Sequence, residues 1–181
     1  MSGDCCAAWE DENRVVMAVV DGLGHGIYAA QAAETAIRCI ERVRSGSCAE
    51  IFAECDDQLR NTRGAALALA IVDRETKQLT LATIGNIRAV LIGATNELYL
   101  GGDRGIVGAG IQQLTPEEVP LHDGDLLLLY SDGLPEVLPW SSLRHAALNP
   151  QNLVDHLIDD WATGNDDASV LLYRHQPLSP K

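Results

Sequence analysis

The pattern of apolar and polar positions changes its period twice along the chain. Residues 3–9 and 14–20 are apolar stretches separated by a polar turn, which predicts an antiparallel hairpin. From residue 27 to residue 44, apolar side chains recur at steps of three and four, which predicts an amphipathic helix. A second helix is expected from Cys48 to about Arg63.

Beyond Gly64 the pattern becomes typical of strands. Strands are predicted at residues 65–72, 79–84, 88–92, 97–100, 126–130 and 168–173, and helices at 141–148 and 151–162. The strand connections are mostly short and polar, which favours antiparallel pairing. Residues 101–110 are rich in glycine and are a candidate mobile loop. The element order predicts an α+β fold with antiparallel sheets covered by helices.

Composition and charge narrow the function classes. The chain has 181 residues, a hydrophobic fraction of 46% and a net charge of −13, which suits a single domain over residues 1–181. An acidic chain argues against nucleic acid or an anionic membrane as the main partner. No apolar run is long enough to span a membrane, and five cysteines without a CxxC pair indicate reduced thiols in the cytoplasm.

Four acidic positions lie where predicted strands begin or end, each at or near a glycine. Asp4 begins the first strand, Asp21 and Asp132 follow apolar strands, and the pair Asp166 and Asp167 precedes the last strand. Converging carboxylates repel one another unless they bind a cation or a proton, and oxygen ligands favour Mg²⁺ or Mn²⁺ over zinc. The alternative is that each is an ordinary Asp-Gly turn residue.

The glycine run after Asp21 also invites comparison with nucleotide-binding loops. A dinucleotide fingerprint requires a third glycine where this chain has Ile27, and a second helix follows where a second strand is needed. The chain contains no P-loop, HExxH or GxSxG motif. These observations weigh against nucleotide binding, zinc-protease and serine-hydrolase chemistry.

A set of short motifs resembles the metal-dependent protein phosphatases (PPM, type 2C-like), most strongly their SpoIIE/RsbX branch. The motifs follow the family's order and span nearly the whole chain: Gly3-Asp4, Asp21-Gly22-Leu23-Gly24-His25-Gly26, Gly85-Asn86-Ile87-Arg88, Ser131-Asp132-Gly133 and Asp166-Asp167-Ala168-Ser169. The resemblance implies a four-layer α/β/β/α sandwich, in which two antiparallel sheets are flanked by helices.

The resemblance also implies a site with two Mn²⁺ or Mg²⁺ ions. Asp21 would bridge the ions, the carbonyl oxygen of Gly22 would be a ligand, and Asp4, Asp132 and Asp166 would complete the set. Asp167 would support these ligands. His25 would either donate a proton to the leaving hydroxyl group or fix the loop after Asp21.

Two departures from the family pattern affect this assignment. The upstream basic residue with which larger relatives hold the phosphate has no counterpart, and Arg104 is a candidate substitute. Asn86 stands where many relatives carry an acidic residue associated with a third ion. A third metal ion is therefore in question.

The function implied is hydrolysis of phosphoserine or phosphothreonine in a bacterial stress-signalling protein, as by a stand-alone stressosome phosphatase acting on phosphorylated STAS-domain proteins. Two alternatives remain open. One is a two-metal phosphoesterase that acts on small molecules. The other is a pseudo-phosphatase that binds a phosphoprotein without turnover.

Overall fold

The computed structural model describes residues 2–143, 149–163 and 167–176 of the chain. Within these ranges the strands and helices follow in the order β1 (Asp4–Glu10), β2 (Arg14–Gly22), α1 (Ile27–Val43), α2 (Cys48–Leu59), β3 (Ala65–Asp73), β4 (Gln78–Ile84), β5 (Arg88–Ile92), β6 (Glu97–Leu100), β7 (Glu117–Pro120), β8 (Leu126–Tyr130), α3 (Trp140–Leu143), α4 (Pro150–Trp161) and β9 (Val170–Arg174).

The strands form two antiparallel sheets. The first sheet has the order β1-β2-β3-β4-β7, and the second has the order β6-β5-β8-β9. Three pairs, β1-β2, β3-β4 and β5-β6, join consecutive strands through short turns, as the polar connections predict. The predicted α+β class with two antiparallel sheets is confirmed.

Apolar side chains on both faces of the central strands form three core clusters, one between each pair of adjacent layers. In β2, Val16, Ala18 and Val20 pack toward α1 and α2, whereas Val15, Met17 and Val19 pack between the sheets. In β8, Leu127 and Leu129 also fill the space between the sheets, and the alternate residues pack toward α3 and α4. Such strands carry continuous apolar runs because neither face meets water. The layers are therefore helix, sheet, sheet and helix.

The sequence pattern missed one strand and misplaced one helix end. β7 has an exposed, charged sequence that includes Pro120, and it lies at the edge of the first sheet. Proline is tolerated on an edge strand, because one side of that strand has no hydrogen-bonding neighbour. The charged, exposed sequence of β7 also lacks the apolar pattern from which a strand would be predicted. Helix α2 ends at Leu59 rather than near Arg63. The predicted helix at residues 141–148 is described only as far as Leu143.

The glycine-rich loop at residues 101–110 is tied to the rest of the fold at several points. Val107 pairs with Ala65 as an isolated bridge, and Asp103 pairs with Ile84. The buried carboxylate of Asp56 on α2 accepts hydrogen bonds from the backbone N–H of Gly108 at 2.7 Å and of Gly110 at 3.1 Å. The loop is thereby held against α2 and the start of β3.

Helix α1 approaches the end of β2 very closely. A methyl group on Gly22 would lie 2.0 Å from the carbonyl oxygen of Ala29, so only glycine fits there. The helix allows this approach because its buried face consists largely of alanines, with Ala29, Ala32 and Ala33 fully buried. The contact places the loop between Asp21 and Ile27 at one end of the sandwich. No helix among the described residues is long and apolar enough to cross a membrane.

Candidate active site

The hairpin of β1 and β2 brings two of the predicted carboxylates together. Asp4 stands directly opposite Asp21 in the antiparallel register. The N–H of Gly22 donates to the carbonyl oxygen of Gly3 at 3.0 Å, which continues the pairing past both aspartates. Directly opposed residues in such a ladder have Cβ atoms about 5 Å apart. Both carboxylates therefore lie at one end of the first sheet.

Asn86 links this end of the first sheet to the second sheet. It lies in the turn between β4 and β5, and its Nδ2 donates to Asp132 Oδ2 at 2.7 Å and to Asp21 Oδ2 at 3.3 Å. Asp132 follows β8 in the other sheet. The carboxylates of Asp21 and Asp132 thus face one shared donor, although they come from different layers of the fold.

Asp4 is joined to the second sheet through Ser131. The Ser131 hydroxyl donates to Asp4 Oδ2 at 2.6 Å and accepts a hydrogen bond from the N–H of Ser169 at 2.9 Å. Burial raises the pKa of Asp4 above 3.8, and the nearby carboxylates of Asp167 and Asp132 raise it further. The hydrogen bonds from the two serines lower the pKa but do not cancel the rise. The metal-free site therefore disfavours negative charge on Asp4.

Asp167 completes the link between β1 and the segment before β9. Its Oδ2 accepts a hydrogen bond from the N–H of Gly3 at 2.6 Å. A methyl group on Gly133 would lie 2.2 Å from the Asp167 carbonyl oxygen, so a glycine is required beside Asp132. These contacts agree with a supporting role for Asp167. Asp166, the predicted ligand next to it, lies outside the described residues.

The oxygen-rich arrangement fits a hard divalent cation, although a complete ligand shell is not formed. Among the described residues, no group of three or more His, Cys, Asp or Glu side chains is arranged to hold a metal ion. The amide of Asn86 lies between Asp21 and Asp132, in contact with both carboxylates. A positively polarised N–H₂ group in this position, together with the raised pKa of Asp4, marks a place where a cation would be favoured.

His25 and Arg104 take no part in these contacts. The His25 side chain is exposed, and within the described part of the chain it makes no hydrogen bond or ion pair. The proton-donor and loop-fixing roles for His25 both stay predictions. Arg104 is exposed in the glycine-rich loop, also without a hydrogen bond or ion pair to any described residue. The structure does not place Arg104 against the carboxylates.

Asn86 and Ser131 belong to the sequence motifs, but the sequence alone predicts no contact for either residue. The Gly85-Asn86 pair directly follows the buried strand β4, and Ser131 directly precedes Asp132. The feature that could have indicated them is a polar residue directly after a buried strand, which is also the feature that indicated the aspartates.

Residues 11–176 match the family described as Stage II sporulation protein E (SpoIIE). The chain belongs to the SpoIIE family. The match covers every element from β2 to β9, together with Asp21, Asn86 and Asp132 of the site. The predicted membership of the PPM phosphatases, SpoIIE/RsbX branch, is confirmed.

Known relatives of this SpoIIE-family chain include a phosphatase. Phosphoserine phosphatase RsbX of Bacillus subtilis (strain 168) is 26% identical over 133 residues, which cover 73% of this chain and 67% of RsbX. Another similar structure comes from work on the bacterial stressosome, described there as a modular system that has been adapted to control secondary messenger signaling. Its sequence is 34% identical to that of this chain. It has a TM-score of 0.89 over 96% of this chain and 92% of its own.

The crystal structure of RsbX in complex with magnesium shares the fold. It is 22% identical, with a TM-score of 0.82 over 95% of this chain and 86% of its own. Family and fold together make the chain a serine/threonine protein phosphatase of the PPM type. The predicted enzyme class is confirmed.

Proposed function

We propose that this chain is a metal-dependent phosphatase that hydrolyses phosphoserine or phosphothreonine on a STAS-domain protein of a bacterial stressosome. We further propose two Mn²⁺ or Mg²⁺ ions, held by Asp4, Asp21, Asp132, Asp166 and the carbonyl oxygen of Gly22. The proposal treats residues 1–181 as a single catalytic domain that acts in the cytoplasm. Five cysteines without a disulfide among them support a reducing compartment.

The observation that carries the proposal is the shared contact of Asn86 with Asp21 and Asp132. It brings together carboxylates that are far apart in sequence and belong to opposite sheets. An aspartate that served only an Asp-Gly turn would not be expected to lie close to a carboxylate of the other sheet. This arrangement favours a ligand-binding site over the turn interpretation.

The reaction needs no side-chain nucleophile. Water adds to phosphorus, the bond between phosphorus and the serine or threonine oxygen breaks, and that oxygen takes up a proton. Bound divalent ions would polarise the phosphate oxygens and lower the pKa of a coordinated water. Asp21 and Asp132 would orient the ligand set from two sheets, Ser131 would orient Asp4, and Asp167 would fix the backbone at Gly3. His25 would donate the proton to the leaving oxygen, or else fix the loop.

Two comparisons support the finer parts of the proposal. The RsbX crystal structure that shares this fold contains magnesium. The 34% identical structure comes from work on the stressosome. Both concern other proteins, and they motivate the choice of ion and of substrate for the test.

The test measures phosphate release from a phosphorylated STAS-domain protein by the full chain, with Mn²⁺ or Mg²⁺ and with a chelator. Activity is expected only with the metal. Asp21→Asn should lower kcat/KM by at least about 100-fold, because the site loses a charged ligand that contributes several kcal/mol. Asp11→Asn is the matched control, since Asp11 is exposed at the opposite end of the same hairpin and should leave the rate unchanged.

Activity that survives the chelator or the Asp21 substitution would overturn the mechanism. Faster turnover of small phosphate esters than of the phosphoprotein would favour the small-molecule phosphoesterase. Tight binding of the phosphoprotein without release of phosphate would favour the pseudo-phosphatase.

A further inference from the structure

The guanidinium group of Arg63 lies beside the loop that follows Asp21. A methyl group added to Gly24 would lie only 2.6 Å from Arg63 Nη1, so the absence of a side chain at Gly24 makes room for the arginine. The Cζ atom of Arg63 lies 5.2 Å from the centre of the Tyr28 ring, within the range of a cation–π contact. Arg63 is therefore positioned from two sides, by the loop backbone and by the first turn of α1.

The backbone pairing fixes where this arginine stands relative to the carboxylates. Gly22 pairs with Ala65, and the N–H of Leu23 donates to the carbonyl oxygen of Gly64 at 3.0 Å. Arg63 directly precedes Gly64, and its guanidinium group lies beside Gly24, three residues beyond Asp21. Three residues span at most about 10 Å, so a long side chain at Arg63 can reach a group bound at Asp21.

The charge of Arg63 is available, in contrast to that of another arginine near the site. Among the residues that the structure describes, Arg63 has no carboxylate partner and no hydrogen bond. Arg88 donates to the carbonyl oxygen of Asn86 at 2.9 Å and lies 3.7 Å from the carboxylate of Glu136. Arg104 is also unpaired there, but no contact with a described side chain positions it. Arg63 alone of the three is both positioned and uncommitted to a polar partner.

We infer that Arg63 binds the phosphoryl group of the substrate. Its side chain contacts the Tyr28 ring and reaches the phosphoryl group past Gly24, where no side chain stands in the way. The inference rests on the proposed function and adds a residue that contacts the substrate. A guanidinium group offers paired N–H donors that match phosphate oxygens. In an acidic chain, a positioned arginine also counters the repulsion between the carboxylates and an incoming phosphate. Tyr28 is a positioning residue that acts through Arg63.

Substitutions at Arg63 test the inference with the full chain and the phosphorylated STAS-domain protein. Arg63→Ala should raise KM about 10- to 100-fold, the effect of losing hydrogen bonds to a charged group. The KM of Arg63→Lys should lie between the KM of the wild type and that of Arg63→Ala, because lysine keeps the charge but lacks the paired donors. Tyr28→Ala should raise KM less than Arg63→Ala, and Tyr28→Phe should keep the wild-type KM. Magnesium affinity measured by calorimetry should be the same in all variants.

Arg60→Ala is the matched control, because Arg60 is an exposed arginine three residues earlier that pairs with Asp57. It should leave KM unchanged. The inference is wrong if Arg63→Ala also leaves KM unchanged, or if Arg104→Ala raises KM in its place. A loss of magnesium affinity in Arg63→Ala would likewise contradict it, since that would indicate a role in the metal site.

A binding measurement separates this inference from the proposed function. Inorganic phosphate, added with Mg²⁺, should raise the melting temperature of the wild type but not of Arg63→Ala. That result supports the arginine site even if the wild type fails to hydrolyse the phosphoprotein, in which case only the proposed function is rejected. An equal phosphate effect in both proteins, or none in either, would overturn the inference even with normal turnover.

Discussion

At the scale of single residues, the neutral amide of Asn86 holds together two charged groups. Its Nδ2 is shared between Asp21 and Asp132, at 3.3 and 2.7 Å. The N–H₂ group of Asn86 contacts both carboxylates and offsets part of their mutual repulsion when no cation is bound. Asn86 is therefore expected to stabilise the metal-free enzyme, by offsetting repulsion that a bound cation would otherwise relieve.

Asn86→Ala should destabilise the metal-free protein by about 1 kcal/mol, since two partly exposed hydrogen bonds are lost and the carboxylate repulsion is left uncompensated. The stabilisation gained on adding Mg²⁺ should be larger in the variant than in the wild type, because the ion then relieves more repulsion. Thermal unfolding with and without Mg²⁺ measures both quantities.

Asn61→Ala is the control for this comparison, because Asn61 is an exposed asparagine in the turn after α2. It should leave both the metal-free stability and the response to Mg²⁺ unchanged. If Asn86→Ala behaves like the control, the amide does not hold the carboxylates.

The aspartates could be predicted from sequence, whereas the contacts of Asn86 could not. Asp21 and Asp132 lie at or just beyond the ends of buried strands. The abrupt change from apolar residues to a carboxylate can be read directly from the sequence. The amide of Asn86 meets carboxylates 65 and 46 residues away, in two different sheets. Such a contact depends on how the sheets dock. Arg63 was missed for a different reason, because it stood at the end of a predicted helix that in the structure ends at Leu59.

At the scale of elements, the carboxylate of Asp56 joins helix α2 to the glycine-rich loop. It is buried and accepts the N–H groups of Gly108 and Gly110. The glycines themselves are needed there, since Gly108 has a φ of +106° and a side chain would meet Leu59. The loop conformation therefore depends on one acceptor that belongs to a different element.

Asp56→Ala should lower the free energy of unfolding by about 1.5–3 kcal/mol, because two partly buried backbone donors lose a charged acceptor. Hydrogen exchange should accelerate at the amides of Gly108 and Gly110 before it does so in the sheets. Chemical denaturation and exchange mass spectrometry measure the two effects.

Asp57→Ala removes the neighbouring carboxylate, which is exposed and pairs with Arg60, and should change stability by less than about 0.5 kcal/mol. Equal exchange rates at Gly108 in the wild type and Asp56→Ala would show that the loop is held by other contacts.

Strands with two buried faces were easy to predict, and edge elements were not. β3 and β8 carry long apolar runs because they lie inside the sandwich. β7 has exposed glutamates and a proline, so its assignment depends on its pairing with β4 rather than on its own sequence. The same holds for the loop at residues 101–110, whose glycines suggest mobility until the tethering partners are known.

At the scale of the whole molecule, the site joins the two sheets. Asp4 and Asp21 come from the first sheet, Asp132 follows a strand of the second, and the chain carries a net charge of −13. A bound cation would therefore stabilise both the local cluster and the docking of one sheet on the other. Metal binding is expected to raise global stability.

The melting temperature should rise by about 5–10 °C at saturating Mn²⁺ or Mg²⁺, the effect of roughly 2.7 kcal/mol at one hundred times Kd. A chelator should reverse the shift. Differential scanning calorimetry measures it, with sodium chloride at matched ionic strength as the control for screening.

The shift should be absent in Asp21→Asn. If sodium chloride alone gives the same rise, general screening of the acidic surface explains it. If Asp21→Asn keeps the full rise, the stabilising ions bind elsewhere.

The hydrogen bond from Gly3 to Asp167 joins residues 164 positions apart. During synthesis on a ribosome, β1 emerges long before Asp167 and β9. Contacts of such high sequence separation form late because they must first overcome the entropy of closing a long loop. The site would then be completed only after the segment that carries Asp167 has been synthesised. A chain that stops before Asp167 lacks this contact and is expected to be inactive, rather than active without control.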